Sequence, residues 1–146
     1  MTRTPIGVLD TNVVLLLDRL EADQLPGEPR ITTITLAELS VGPLATDDPV
    51  EQALRQVRLQ EAESAFEPLP FDAAAARSYG QVAAQLRLGG RRVKARAFDT
   101  LIAATAIAND LPLYTCNPRD FDGIEKLEVV SIRHPDASAG GSSNLA

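Results

Sequence analysis

A chain of 146 residues and 15.6 kDa with one cysteine fits a single domain that buries roughly two-thirds of its unfolded surface, and it leaves no intramolecular disulfide framework. A formal charge of −6 and a pI near 4.7 argue against a globally basic nucleic-acid binder, although screening over about 8 Å at physiological salt lets a local patch outweigh the total. No apolar run approaches the roughly twenty residues that span a bilayer, and no basic-then-apolar leader opens the sequence, so the expectation is a soluble, cytoplasmic protein with Cys116 as a buried thiol.

In chain order, Pro5 to Leu9 is an apolar run too short for a helix, followed by Asp10-Thr11-Asn12 and the apolar segment Val13–Leu17. This reads as a strand, a carboxylate at its C-terminal end, then a helix. Leu20 to Pro29 is a surface connection, and β-branched Arg30–Ile34 reads as a second buried strand. Thr35 and Glu38 have the spacing of a capping box, opening a helix that ends near Gly42-Pro43. The next helix runs from Asp47-Asp48-Pro49 to about Ala65, with a mostly polar face and Val50, Leu54, Val57 and the neighbours of Glu61 as its inner stripe. Phe66–Phe71 is a short extended piece whose Pro68 and Pro70 suit a sheet edge.

Asp72 caps a helix from Ala73 to about Leu88, which Gly89-Gly90 stops. Arg87, Arg91, Arg92, Lys94 and Arg96 then form a basic cluster, either an ordinary solvated loop or a contact for a phosphate backbone. Asp99 leads a helix kept slim by Ala103, Ala104, Ala106 and Ala108, and Leu113–Cys116 forms a strand before Asn117-Pro118-Arg119-Asp120-Phe121. Leu127–Ile132 supplies a last strand, and His134, the single histidine, punctuates the exit to a tail too polar to pack. The expected organisation is one α/β domain over 1–133, a central parallel sheet flanked by helices, with a flexible tail over 134–146.

In such a sheet the ligand site lies outside the carboxyl ends of the strands. Asp10 and Asp120 follow strands, and Glu38 and Asp99 start helices at the same edge, so all four acids are expected on one rim. Each acid alone is explained as a helix cap, worth a few tenths to about one kcal/mol. Four together repel unless a cation lies between them, and oxygen donors without a Cys/His cluster suit Mg²⁺ or Mn²⁺ rather than zinc. That chemistry serves phosphodiester hydrolysis. No glycine-rich phosphate loop and no Ser/His or Cys/His pair offers another route.

The segments LDTNVVL around Asp10, TLAELSVG around Glu38, AFDTLIAATAIANDLPLYT around Asp99 and NPRDF around Asp120 together resemble the PIN-domain ribonucleases, in particular the VapC-type toxins of bacterial toxin–antitoxin pairs. The resemblance runs from Ile6 to about Ile132. It implies a Rossmann-like sheet, Mg²⁺- or Mn²⁺-dependent endonucleolytic cleavage of RNA, a homodimer, and a cognate VapB-type antitoxin. Asp10, Glu38 and Asp99 match the family's three most regular acids, and Thr11 and Asn12 match the polar pair behind the first. Family members differ at the fourth acid: some carry it where this chain has Asn117, others three residues on, at Asp120. Asp120 is therefore the expected fourth catalytic acid, with Asn117 as a neutral ligand and Asp122 in reserve, and the number of metal ions stays open. Arg91, Arg92, Lys94 and Arg96 are the RNA-binding candidates.

Two other readings compete. A haloacid dehalogenase-type phosphatase also carries an Asp after its first strand, but its second Asp would fall at Asn12. A non-cleaving RNA- or partner-binding module would keep the fold without needing the complete acidic set.

Overall fold

Ile6–Leu9 (β1) is a short strand whose successive side chains enter opposite cores, and the whole architecture follows from that alternation. In the computed structural model, which describes residues 5–137, Val8 and Leu9 are both fully buried, Val8 against one layer of helices and Leu9 against another. Glu28–Arg30 (β2), Leu113–Thr115 (β3) and Val129–Ser131 (β4) complete a four-stranded parallel sheet in the order β2-β1-β3-β4. Val8 is opposite Leu113 and Leu113 opposite Val129, so the apolar positions align across the strands.

Parallel pairing requires crossovers, and the helices supply them on both faces. Thr11–Leu15 (α1), Thr33–Val41 (α2) and Pro49–Ala65 (α3) cover the Leu9 face through Val13, Leu39 and Ala62. Ala73–Leu88 (α4) and Ala97–Ala108 (α5) cover the Val8 face through Val82, Leu86, Ile102, Ala103 and Ala106. The expected α/β class with a central parallel sheet is what forms. Because β2 lies to one side of β1 and β3 to the other, the strand order reverses at β1. Such a switch point is where open parallel sheets bind ligands, at the carboxyl edge, and Asp10 is the residue that follows β1 there.

Small residues let α5 pack closely against α4: Ala103, Ala104 and Ala106 have no exposed surface. Gly7 serves the same closeness on the other face, since a Cβ there would come within 2.3 Å of the Tyr114 ring.

Several boundaries differ from those expected. The second strand is Glu28–Arg30 rather than Arg30–Ile34, and Thr32 keeps only an isolated parallel bridge to Leu69, all that Phe66–Phe71 contributes to the sheet. The capping box of Thr35 and Glu38 does not form. Thr32 is the N-cap instead, its hydroxyl accepting from the Thr35 N–H at 3.2 Å, so Thr35 lies buried inside α2 and Glu38 beyond its first turn. The first helix starts at Thr11 and gives way to a 3₁₀ turn at Leu17–Arg19, earlier than the apolar run suggested. The helix carrying Asp99 begins two residues before it, and the last strand is confined to Val129–Ser131.

The α3 stripe is a larger correction. Val50, Leu54 and Val57 are 70%, 47% and 48% exposed, and of the expected stripe it is Ala62, beside Glu61, that faces the core. No helix among the described residues is long and apolar enough to cross a membrane. The expected tail falls, from Ser138 onward, outside the described residues.

Candidate active site

Asp10 is almost fully buried, 3% exposed, at the end of β1. A carboxylate so placed must find donors, and the strand register provides them. The Asp10 N–H donates to the Tyr114 carbonyl at 2.9 Å, which holds the ends of β1 and β3 side by side. The Thr115 hydroxyl then donates to Asp10 Oδ2 at 2.8 Å while the Thr11 N–H donates to Oδ1 at 2.9 Å. Thr115 is itself aimed by the Asn117 N–H, which donates to its oxygen at 3.0 Å. Burial pushes the Asp10 carboxyl above its ordinary range; the Thr115 and Thr11 bonds pull the other way, and nearby Asp120 adds to the rise.

Glu38 reaches the same place from α2 through a relay of hydroxyls. Thr11 Oγ1 donates to Glu38 Oε1 at 2.7 Å, and Thr11 and Thr35 share a hydroxyl contact at 2.9 Å. Since Thr11 has one hydroxyl proton and Glu38 takes it, Thr35 is the donor to Thr11. The Thr32 cap makes this possible, because it places Thr35 inside the helix on the side facing Thr11. Burial raises the Glu38 carboxyl, the Thr11 bond opposes this, and the Asp10 charge contributes further. Glu38 and Thr11 open onto a cleft of about 350 Å³ walled by Leu15, Leu39, Arg55 and Arg58, so solvent-side access exists.

Asp99 lies in the first turn of α5, half-buried. Its pKa is pushed up to about 6, first by burial and then by Asp10, Asp120 and Glu38, with Arg96 the one group opposing. These couplings place all four acids within electrostatic reach of one another. Asp120 stands on the 3₁₀ turn Pro118–Phe121, which Phe121, 2% exposed, anchors in the core. Its carboxylate is paired with the Arg96 guanidinium.

The donor set is therefore oxygen-only, with Arg96 the one cation paired to a site acid. His134 and Cys116 are absent from these contacts, and burial first, then the neighbouring carboxylates, raises Asp10, Glu38 and Asp99 above the ordinary carboxyl range. That chemistry fits a hard divalent ion. As the side chains stand, no group of three Cys, His, Asp or Glu residues among those described is drawn tightly enough to hold one.

The structure brings together Asp10, Glu38, Asp99 and Asp120 with Thr11. Asn12 lies one step back, its Oδ1 accepting from the Cys116 N–H at 3.4 Å, which ties the Asp10 turn to the end of β3. Asn117 contributes its backbone N–H to Thr115, while its side chain is exposed. Asp122 is within electrostatic reach of Arg96. Arg91, Arg92, Lys94 and Arg96 are all exposed, and of these Arg96 is the one paired with a site acid, Asp120. Sequence reading missed Thr115 and Thr35. Thr115 looked like any strand residue and meets Asp10 across 105 positions, so no local spacing could signal it. Thr35 was visible as a capping threonine, but one site in a run of three threonines had to be chosen.

Comparison with known proteins agrees with this geometry. The PIN domain family model matches residues 7–127. Ribonuclease VapC5 of Mycobacterium tuberculosis is 37% identical over 139 residues, covering 90% of this chain and all of that protein. Ribonuclease VapC1 of Rickettsia felis is 28% identical, covering 88% of this chain and 98% of that one. Among solved structures, VapBC-5 of Mycobacterium tuberculosis, a member of the VapBC family of toxin–antitoxin systems, superposes with a TM-score of 0.76 at 35% identity, covering 87% of this chain and 98% of that one. With its acids at the carboxyl edge of a parallel sheet and this likeness along nearly its whole length, the chain belongs to the PIN-domain family, among its VapC-type members.

Proposed function

We propose that the protein is a divalent-metal-dependent endoribonuclease, the toxin of a toxin–antitoxin pair, which hydrolyses phosphodiester bonds in RNA. The observation that carries this reading is a set of four carboxylates at one sheet edge, whose burial and mutual coupling hold Asp99 protonated to about pH 6. The relatives' names support the substrate class: those at 37% and 28% identity are called ribonucleases. The VapBC complex at 35% identity supports a VapB-type antitoxin as partner. A homodimer is part of the same proposal.

In this reading Asp10, Asp99 and Asp120 hold Mg²⁺ or Mn²⁺, with Glu38 and Asn117 as further oxygen donors. When bound, such an ion supplies charge for the phosphoryl oxygens and acidity for an attacking water. The chain's own part is positional. Thr115 and the Thr11 N–H fix Asp10 in one rotamer, and the hydroxyl relay fixes Glu38. Glu38, raised above the ordinary carboxyl range and open to the cleft, is placed to take a proton from the nucleophile. Arg91, Arg92 and Lys94 extend from the segment just before α5 as phosphate-backbone contacts.

Sequencing the RNA ends that appear after brief expression in a bacterial host tests the assignment and names the target. New ends at defined sites are expected with the native chain and not with Asp99→Asn. The same ends with both proteins would defeat the proposal.

A further inference from the structure

Of the basic side chains before α5, Arg96 alone forms an ion pair with an acid of the site, Asp120. Its backbone is fixed where the helix begins: the N–H donates to the Val93 carbonyl at 3.1 Å, and the carbonyl accepts from the Thr100 hydroxyl at 2.8 Å. From that root the side chain crosses to the 3₁₀ turn Pro118–Phe121 and pairs with Asp120. It is also the single cation opposing the proton affinity of Asp99, and it feels Asp122. Arg91, Arg92 and Lys94 make no side-chain ion pair within the described residues. The Arg96 and Asp120 side chains are 48% and 30% exposed, so the pair is open to exchange with solutes.

An exposed ion pair elsewhere on the surface would contribute little. This one joins two elements of the acidic site, the start of α5 and the turn carrying Asp120. We propose that Arg96 is the resident counter-cation of the acidic site and competes with the divalent metal ion for Asp120. The inference rests on the metal-dependent reading above. A metal ion that engages Asp120 must displace the guanidinium and then tolerate a like charge beside it. Arg96 therefore keeps metal affinity below what the carboxylates alone would give. It also ties the turn carrying Asp120 to the first turn of α5 while no metal is bound.

Calorimetric titration of Mn²⁺ into the full-length chain tests this. Arg96→Gln should bind Mn²⁺ roughly three- to tenfold more tightly than the native protein, the combined effect of removing a competitor and a like charge. On an Asp120→Asn background the same change should give a smaller gain, since the contested ligand is gone. Arg96→Lys keeps the charge without the planar fork, should show only slight tightening, and serves as the measurement if the Gln variant does not fold. Native Mn²⁺ binding that Arg96→Gln leaves unchanged or weakens would overturn the inference while leaving metal dependence intact. Absence of Mn²⁺ binding in both proteins would overturn the metal-dependent reading and this inference with it.

Discussion

The two halves of α5 do opposite things on one continuous helix. From Ile102 to Ala106 every side chain is completely buried, and Ile102, Ala103 and Ala106 share one core with α4 and with Val8 and Leu113 of the sheet. One turn earlier Asp99 is half-buried among three other carboxylates and is held protonated to about pH 6. The body of the helix stabilises the fold, and its first turn works against it. That division is what a site needs when it is built on a rigid element rather than a loop: packing in one half holds an unfavourable charge in the other.

The contrast can be disturbed from either side. Ile102→Ala should have the largest stability effect, a loss of about 2 to 4 kcal/mol measured by urea unfolding, because it empties a fully buried site between α5 and the sheet. Asp99→Asn should move stability the other way. The folded protein holds the Asp99 proton to about pH 6, whereas an ordinary carboxyl releases it near 3.8, so the unfolded chain binds fewer protons in between. Stability of the metal-free native protein therefore falls as pH rises through that window, and below it the penalty vanishes. Denaturant midpoints from about pH 4 to pH 7 should show Asp99→Asn gaining on the native chain by on the order of 1 kcal/mol after allowance for solvent screening. A gap that does not grow with pH would mean that the first turn carries no such cost. The smallest effect concerns the segment leading into that turn. Neutralising Arg91 and Arg92 should weaken RNA binding modestly and flatten its log–log salt slope by roughly 0.7 for each phosphate no longer neutralised. An unchanged slope would reduce the pair to solvated surface.

Much of this contrast was legible in the sequence. Alternating apolar runs gave the strand and helix order, and acids following strand ends gave the rim, because both rest on local periodicity and on where a parallel sheet binds ligands. What escaped were choices between equivalent local options and meetings across long separations. Thr32, Thr33 and Thr35 each suit a cap, and it is Thr32 that caps, which leaves Thr35 inside the helix in contact with Thr11. Val50, Leu54 and Val57 have helical spacing that fits an inner stripe, yet α3 turns them outward while Ala62 faces the core. Thr115 on Asp10 and Arg96 on Asp120 join residues 105 and 24 positions apart, which no local pattern encodes.

Whether the coupled carboxylates work as a metal-dependent ribonuclease site is decided by RNA cleavage with the purified chain, measured with Mg²⁺ or Mn²⁺, with a chelator, and with Asp99→Asn. Cleavage is expected with the ion and none with the chelator. Adding Mn²⁺ back should restore it, and the variant should be slower by at least roughly a hundredfold. Cleavage that survives both the chelator and Asp99→Asn undiminished would contradict the assignment.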